Sequence, residues 1–475
     1  MSINSLYNTA RLGLNAQQAL MQTAAHNIAN ASTVGYTRQS VDLEANLPMN
    51  TPQGSFGTGV LVGTVTHSRD TLIDTNYRSQ TSLSRQYGTL GDGLTSISSM
   101  YGEPSDNAFA STLDQFWGAW SDLANNPDST AAKGVVQQRG QQVADTLQRY
   151  SKGLDTIQTQ TLTKLQTDIG NLNKYSAQVA SLNDQIVAAE SSGHTAADLR
   201  DQRDNLLDQI STITPVQTIE QKDGSVNVYL SGQPIVDGVL AQPVTQQTIN
   251  GQVTLQQAGY TVRNPGGSLG AEVNLLNNEI PAQHAQLDAL AKQLVTQINT
   301  IHRAGWTAAG DALGGANWNT ATPPTGSNVD FFDPNGVTAE TISLSTSVKS
   351  DASYIAAGNV QNGTGNSVIA NQMAQLRTGT GSILAYGSTT QTTSFTQYYQ
   401  DLVTRLGIAT NDTNSSAAVY DTLAQQANTQ RQSANGVSTD DELVALTKSQ
   451  QAYAAAAKII TTAGDMAQTL LDMIR

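Results

Sequence analysis

The sequence has no cysteine, so disulfides, thiolate metal sites and cysteine nucleophiles are excluded. That absence fits a chain that must avoid cross-linking in oxidising surroundings. Basic residues are few: 24 Lys and Arg stand against 38 Asp and Glu, the net charge is -14, and there is no basic stripe of the kind a nucleic-acid partner requires. No 18 apolar residues run together, so no membrane-spanning helix is expected. The opening MSINSLYNTARLGLNAQQALMQ lacks a basic stretch followed by an apolar one, so no cleaved signal peptide is expected. Aromatic residues reach only 5% and charged ones 13%, yet 38% of residues are hydrophobic and recur with a period. Such a composition is not that of a disordered chain; it calls for many helices joined through small interfaces.

Chemistry is sparse as well. The five histidines, His26, His67, His194, His284 and His302, are too scattered for a zinc site. Gly54, Gly57 and Gly59 lack the Lys-Ser/Thr pair of a phosphate loop and read as a turn into the strand GVLVGTV. Asp330, Asp333 and Asn335 beside Gly336 lack the ligand spacing and terminal Glu of a calcium loop, and read as a turn. No catalytic residue, cofactor or metal is expected.

What the sequence does have is periodicity. Ile3, Tyr7, Ala10, Leu14, Met21, Ala24 and Ile28 fall on steps of four and three, with Gln17 as the polar intruder. Leu443, Leu446, Tyr453, Ala457, Ile460, Ala467, Leu471 and Ile474 repeat that spacing, weakened at Gln450 and Gly464. Isolated helices are marginal in water, so each stripe needs a mate and the other stripe is the obvious one. Two ordinary core helices of a large domain would show the same pattern. Thr439 and Glu442 stand three apart, as a capping box at the start of the second helix requires.

Between the ends, Leu113, Phe116, Trp117, Trp120 and Leu123 form an aromatic helical face, closed by Asn126-Pro127, where Asn can cap the next helix. A very long helix or helix pair follows, with Leu154, Ile157, Leu165, Ile169, Leu172, Val179, Leu182 and Ile186 at helical spacing. DLRDQRDNLLDQIS resumes a helix in which Arg200 precedes Asp204 by four residues, a favourable local pair. From Val216 the period becomes two: Asp223-Gly224 predicts a hairpin, and further strands are expected at 252–255 and 260–262. Helix returns with Leu287, Leu290, Leu294, Ile298 and Ile301, and a last helical block spans 395 to about 431. Residues 305–350 read as an irregular insertion with a strand-like TISLS. The predicted class is mainly α with β (α+β): terminal helices paired as a coiled coil, an elongated helical-bundle domain with β-hairpins, and a small β-rich insertion.

The stretch AHNIANASTVGYTRQ, residues 25–39, halts the first helix with small polar residues and a glycine. Ser, Asn and Thr compete for backbone hydrogen bonds, and glycine tolerates the positive φ of a reversal. This run resembles the signature of bacterial flagellar axial proteins, the rod, hook and hook-associated family. Its continuation, Gly35-Tyr36-Thr37-Arg38-Gln39, is similar to the hook-associated branch; rod and hook members usually follow the glycine with Phe and a basic residue. The strand at 60–65 with Arg69, Asp70 and Arg78, the turn at 123–127, DLRDQRDNLL, Gly267-Ser268-Leu269-Gly270, Asn299, His302 and Gly305, and the ending Leu471-Asp472-Met473-Ile474-Arg475 match in the family's order. One departure is the short 304–350, where members with a large outer domain carry a longer insertion.

The resemblance implies a structural, non-enzymatic subunit at the junction between hook and filament, outside the cell and exported through the flagellar type III channel. Its implied partners are further copies of itself in a ring, the hook protein, the second junction protein, and an export chaperone on the C-terminal helix; neither nucleic acid nor membrane is among them. Three regions are expected: 1–62 with 436–475 as the terminal coiled coil, 63–303 with 351–435 as the helical core with hairpins, and 304–350 as a small outer insertion. The assembly interface is expected at Ile3, Tyr7, Leu14, Met21, Ile28, Asn27, Asn30, Gly35, Tyr36, Arg38, Leu443, Leu446, Tyr453, Ile460, Leu471 and Ile474, with local packing as the competing role for the residues of the break. Three rivals remain. A hook or distal rod protein would not carry the Gly-Tyr-Thr-Arg-Gln continuation, a secreted helical adhesin would not need heptads at both extremes, and an enzyme acting on polysaccharide would find little room in the short insertion.

Overall fold

Apolar residues three and four apart, with few prolines to interrupt them, make helices the main element. The computed structural model describes residues 3–474 except 34, 52–53, 104, 106–107, 192–194, 308–325, 380 and 385–389. His194, Arg475 and the side chains of Ile3 and Ile474 therefore lie outside the described residues. Helix α1 (Ile3–Asn30) leads into an antiparallel pair, β1 (Gln39–Ala45) with β4 (Val60–His67), which encloses the hairpin β2 (Met49–Thr51) and β3 (Gly54–Phe56). Four helices follow: α2 (Thr71–Tyr101), α3 (Phe109–Asn125), α4 (Thr130–Glu190) and α5 (Ala197–Ile213). Asp70 starts α2 by accepting the Leu72 N–H at 2.9 Å.

Two antiparallel sheets come next. β5 (Gln217–Glu220), β6 (Val226–Leu230), β7 (Gln233–Asp237) and β8 (Leu240–Ala241) run in chain order, and so do β9 (Val244–Ile249), β10 (Gln252–Gln257) and β11 (Tyr260–Val262). Their two-residue turns at Ser231-Gly232, Asn250-Gly251 and Ala258-Gly259 all hold positive φ at both positions, the mirror-image turn that matches strand twist. The chain returns to helix with α6 (Gly267–Asn274), a π turn (Leu275–Glu279) and α7 (Ile280–Arg303). After α8 (Thr346–Ser350) and α9 (Val368–Gln375), the hairpin β12 (Gly381–Leu384) and β13 (Thr390–Thr393) precedes α10 (Phe395–Asn435) and α11 (Thr439–Ile474).

Two hydrophobic clusters share α4 as a spine. Its 61 residues span about 90 Å at the helical rise. The first half buries Val136, Val143, Leu147, Tyr150 and Leu154 in an aromatic cluster with Trp117, Trp120, Phe331 and Tyr399; the second half buries Leu165, Leu172 and Val179 against α5 and the two sheets.

Of the two readings open for the long helical stretch, the structure has the single helix, α4. Several other expectations are corrected. Asn126 closes α3 through its N–H to Asp122 and Leu123, and Ser129 caps α4 instead. Arg200 does not pair with Asp204; it reaches the partly buried Glu190 at 2.7 Å and the exposed Glu220 at 2.5 Å, which lie beside the hairpin. The largest change concerns 304–350. Within its described part, Val329, Phe331, Phe332, Ile342, Leu344 and Val348 are buried in the aromatic cluster, so 326–350 is not an outer β-rich module, and TISLS forms one isolated bridge from Leu344 to Phe332. Residues 308–325 of that insertion lie outside the described residues.

The motif Asn299, His302 and Gly305 explains that seating. Asn299 Oδ1 accepts the Phe331 and Phe332 N–H groups at 3.0 and 2.9 Å, and its Nδ2 donates to the Phe332 carbonyl at 2.9 Å. His302 Nδ1 donates to the Val329 carbonyl at 2.7 Å while Nε2 accepts the Ala356 N–H at 3.0 Å, a pattern only the neutral ring can satisfy. Burial holds its pKa at about 4.

Candidate functional site at the foot of the terminal helices

Helices α1 and α11 lie along each other, and α1 also packs on β1 and β4. Their fully buried apolar positions are small: Ala10, Ala16 and Ala24 on α1, and Ala463 on α11. Small side chains let helix backbones approach. The buried track on α11 is consequently turned by one residue at alternate positions: Glu442, Ser449 and Ala463 are buried where Leu443, Gln450 and Gly464 were expected. Leu14, Met21, Ile28, Leu446 and Ile460 are half-buried, whereas Tyr7, Leu443, Tyr453 and Leu471 are exposed, Leu471 by 62%. Ile459, Met466, Leu470 and Met473, at steps of seven, four and three, are exposed too, so α11 carries a second apolar stripe left open among the described residues.

The break after α1 forms a polar latch. Asn30 Nδ2 donates back to the His26 carbonyl at 3.1 Å, and Gly35 reverses the chain at φ +82°. Asn27, fully buried, then works as a backbone mimic: its Nδ2 donates to the Gln39 carbonyl at 2.9 Å and its Oδ1 accepts the Gln39 N–H at 3.0 Å. Tyr36 donates to the same Oδ1 at 2.7 Å and lies edge-on against His26, whose Nδ1 is 3.0 Å from the phenol oxygen. Burial first, then Asp198, Asp201 and Glu442, push the Tyr36 phenol up, so it remains a donor. Arg38 bonds Glu442 at 2.6 Å and its N–H meets the Asn435 carbonyl at 2.9 Å, which ties the N-terminal break to the α10–α11 turn. Glu442 is thereby diverted from the expected capping box, and Ser438 caps α11 by accepting the Asp441 N–H at 3.4 Å.

One acidic stripe anchors this latch to the rest of the molecule. Asp198, Asp201, Asp204 and Asp208 on α5 are three, three and four residues apart and so share a face. Asp198 accepts from Gln39 at 2.7 Å; Asp201 accepts the Thr37 N–H at 2.9 Å and its hydroxyl at 2.6 Å. Asp204 meets Arg69 at 2.9 Å and Arg78 at 3.4 Å; Asp208 meets Arg78 at 2.7 Å and Arg431 at 2.5 Å. Arg431 also lies 3.8 Å over the Tyr77 ring. Burial alone would lower Arg78, but Asp208 and Asp204 raise it, so the guanidinium stays charged. Burial pushes Asp201 up against its Thr37 bonds and pushes the neighbouring His67, 3.7 Å away, down. A cleft of about 710 Å³ between the break, α2 and the α10–α11 turn is lined by Tyr36, Arg69, Asp208, Arg431 and Asn435.

The structure thus brings together Asn27, Asn30, Gly35, Tyr36 and Arg38 from the sequence-based set and uses them inside the chain. Sequence reasoning did not assign roles to Thr37, Gln39, Arg431 or the Asp stripe, although the three-and-four spacing in DLRDQRDNLLD was the signal. Among the described residues there is no group of acidic and histidine side chains that could hold a metal, and no helix is long and apolar enough to cross a membrane.

Comparison with known proteins places this architecture. A family described as the helical domain of flagellar hook-associated protein FlgK matches residues 94–317; the flagellar basal body rod FlgEFG protein C-terminal family matches 428–473, and the flagella basal body rod protein family matches 8–37. The chain is 28% identical to flagellar hook-associated protein 1 of Bacillus subtilis, with 98% of this chain and 97% of the relative aligned. It is 24% identical to flagellar hook-associated protein 1 of Escherichia coli, with 99% and 100% covered. The solved structure of the flagellar hook junction protein FlgK from Burkholderia pseudomallei shares its fold, with a TM-score of 0.60 and 17% identity over 78% of this chain and 100% of that one.

Proposed function

We propose, from the chain's membership of the flagellar hook-associated protein family, that it is a structural subunit of the junction between hook and filament. The observation that carries this reading is the α1–α11 pair: latched to the body by its own polar network, yet presenting an apolar stripe, Ile459, Met466, Leu470 and Met473, that is exposed among the described residues. Helical assembly uses heterologous contacts, in which one subunit's exposed stripe meets a different patch on the next. Neighbouring copies in a ring are the occupants this reading assigns to the stripe and to the exposed Tyr7, Leu443, Tyr453 and Leu471. Residues 1–62 with 436–475 act as the inner assembly region and 63–303 with 351–435 as the outer body.

The hook protein below, the second junction protein above and an export chaperone on α11 complete the proposed set of partners, with passage to the cell exterior by the flagellar export channel. Chaperone binding fits the same stripe, since an uncovered apolar face promotes aggregation before assembly. Deleting the gene in its source bacterium, with electron microscopy of the cell surface and assay of flagellin in the medium, tests the assignment. Bare hooks with shed flagellin are expected; basal bodies without hooks would move the protein to the rod or hook, and normal filaments would overturn the flagellar role.

A further inference from the structure

The joint between the two hydrophobic clusters carries a buried acid that the latch does not use. Leu269 and Leu276 belong to the cluster beside the sheets, Leu275 and Ile280 to the aromatic one, so α6 and the π turn bridge them. The start of α6 is pressed onto the end of α5: Gly267 has φ +58°, and a Cβ there would stand 2.3 Å from the Ile213 carbonyl oxygen. On the next turn of α6 lies Glu272, fully buried, with neither carboxyl oxygen accepting a hydrogen bond among the described residues. Against it on α4 stands Asp168, which already accepts from the Ser268 hydroxyl.

The other charged groups around α6 do not supply a donor. Lys164 on α4 pulls Glu272 down by less than burial and the Asp168 charge push it up, and it opens on a groove shared with Arg85 and Asp92 of α2. Glu279 of the π turn is itself pushed up by burial and bonded to Asn274. The last turn of α5, 209–213, and α6 itself bring no further charge. A buried carboxylate without a donor and beside a second carboxylate is unfavourable, whereas a neutral carboxyl gains an O–H to give.

We infer that Glu272 is held as a neutral acid that donates its proton to Asp168, and that this carboxyl–carboxylate pair is a proton-dependent clamp on the joint between the two cores. Burial first and Asp168 second push Glu272 from 4.5 up to about 8, consistent with that geometry. Because the folded value lies above the unfolded one, the stabilisation is complete below about pH 4.5 and is lost as pH rises through about 8.

The test is thermal unfolding of the full chain and of Glu272→Gln from pH 5 to 9. The melting temperature of the wild type is expected to fall by several degrees relative to the variant as pH rises, levelling above about pH 8. A difference that stays constant across this range overturns the proposal. Should the variant fail to fold, infrared spectra of the wild type and Asp168→Asn decide it. A protonated-carboxyl band that persists at pH 7, and titrates lower in Asp168→Asn, supports the clamp; no such band in the wild type at pH 7 overturns it.

Discussion

In the aromatic cluster Phe116, Trp117, Trp120, Phe331 and Tyr399 are sealed from solvent, and each ring touches at least one other. In the α1–α11 pair the fully buried apolar residues are alanines, and Ile459, Met466, Leu470 and Met473 of α11 look outward. Burial stabilises roughly in proportion to apolar area removed from water, so the first region can hold itself together while the second gains little from its own seam. The contrast teaches that the terminal pair is positioned mainly by polar bonds at its foot, while large apolar side chains of α11 stay exposed.

The sharpest way to break this contrast is to truncate one residue of each kind. Trp120→Ala is expected to cost about 3–5 kcal/mol in urea unfolding of the isolated chain. An equal loss on removing Met466 would erase the distinction. Next in size is the latch. Arg78→Ala takes one of two arginines from each of Asp204 and Asp208, leaving Arg69 and Arg431 as their remaining partners, and is expected to cost about 3 kcal/mol. Limited proteolysis should then cut near the 31–38 break well before tryptophan fluorescence reports loss of the core.

The core also has an acid weakness. His302 is neutral in the fold, with a pKa of about 4 against 6.5 unfolded, so its contribution is present above pH 6.5 and lost as pH falls toward 4. The loss amounts to about 3 kcal/mol at most. Unfolding curves of the wild type and His302→Asn should converge over that window; parallel curves would refute the neutral clasp. Smaller again is Ala463→Leu, where overpacking the α1–α11 seam costs about 1–3 kcal/mol, read as faster amide exchange confined to the two helices. Smallest is Met466→Ser, within about 0.5 kcal/mol in the monomer, because the side chain is already half-exposed.

The sequence made the helices legible because the apolar period is strong: the α4 spine, α7 and both terminal helices stand where Leu165, Leu290, Leu14 and Leu446 place them. The hairpin at Asp223-Gly224 was legible from its turn; at Ala258-Gly259 only the flanking strands were, and the turn at Ser231-Gly232 was not, since Ser and Ala seldom take positive φ. The seating of 326–350 was hidden because it depends on Asn299 and His302 bonding a backbone some thirty residues away, which no local pattern reports. The latch was half visible. The break residues could be read as a helix stop, but their partners on α5 and at Glu442 lie more than 150 residues off. The heptad frame was misplaced by one residue at alternate turns because alanines, not leucines, set the closest approach.

The most direct test of the account is to complement a strain lacking this gene with the double variant Met466→Asp and Leu470→Asp, then image the hook ends and measure flagellin in the medium. If the exposed stripe of α11 is completed by neighbouring subunits, the variant folds and is exported, yet the cells carry bare hooks and shed flagellin. Normal filaments on those cells would contradict it.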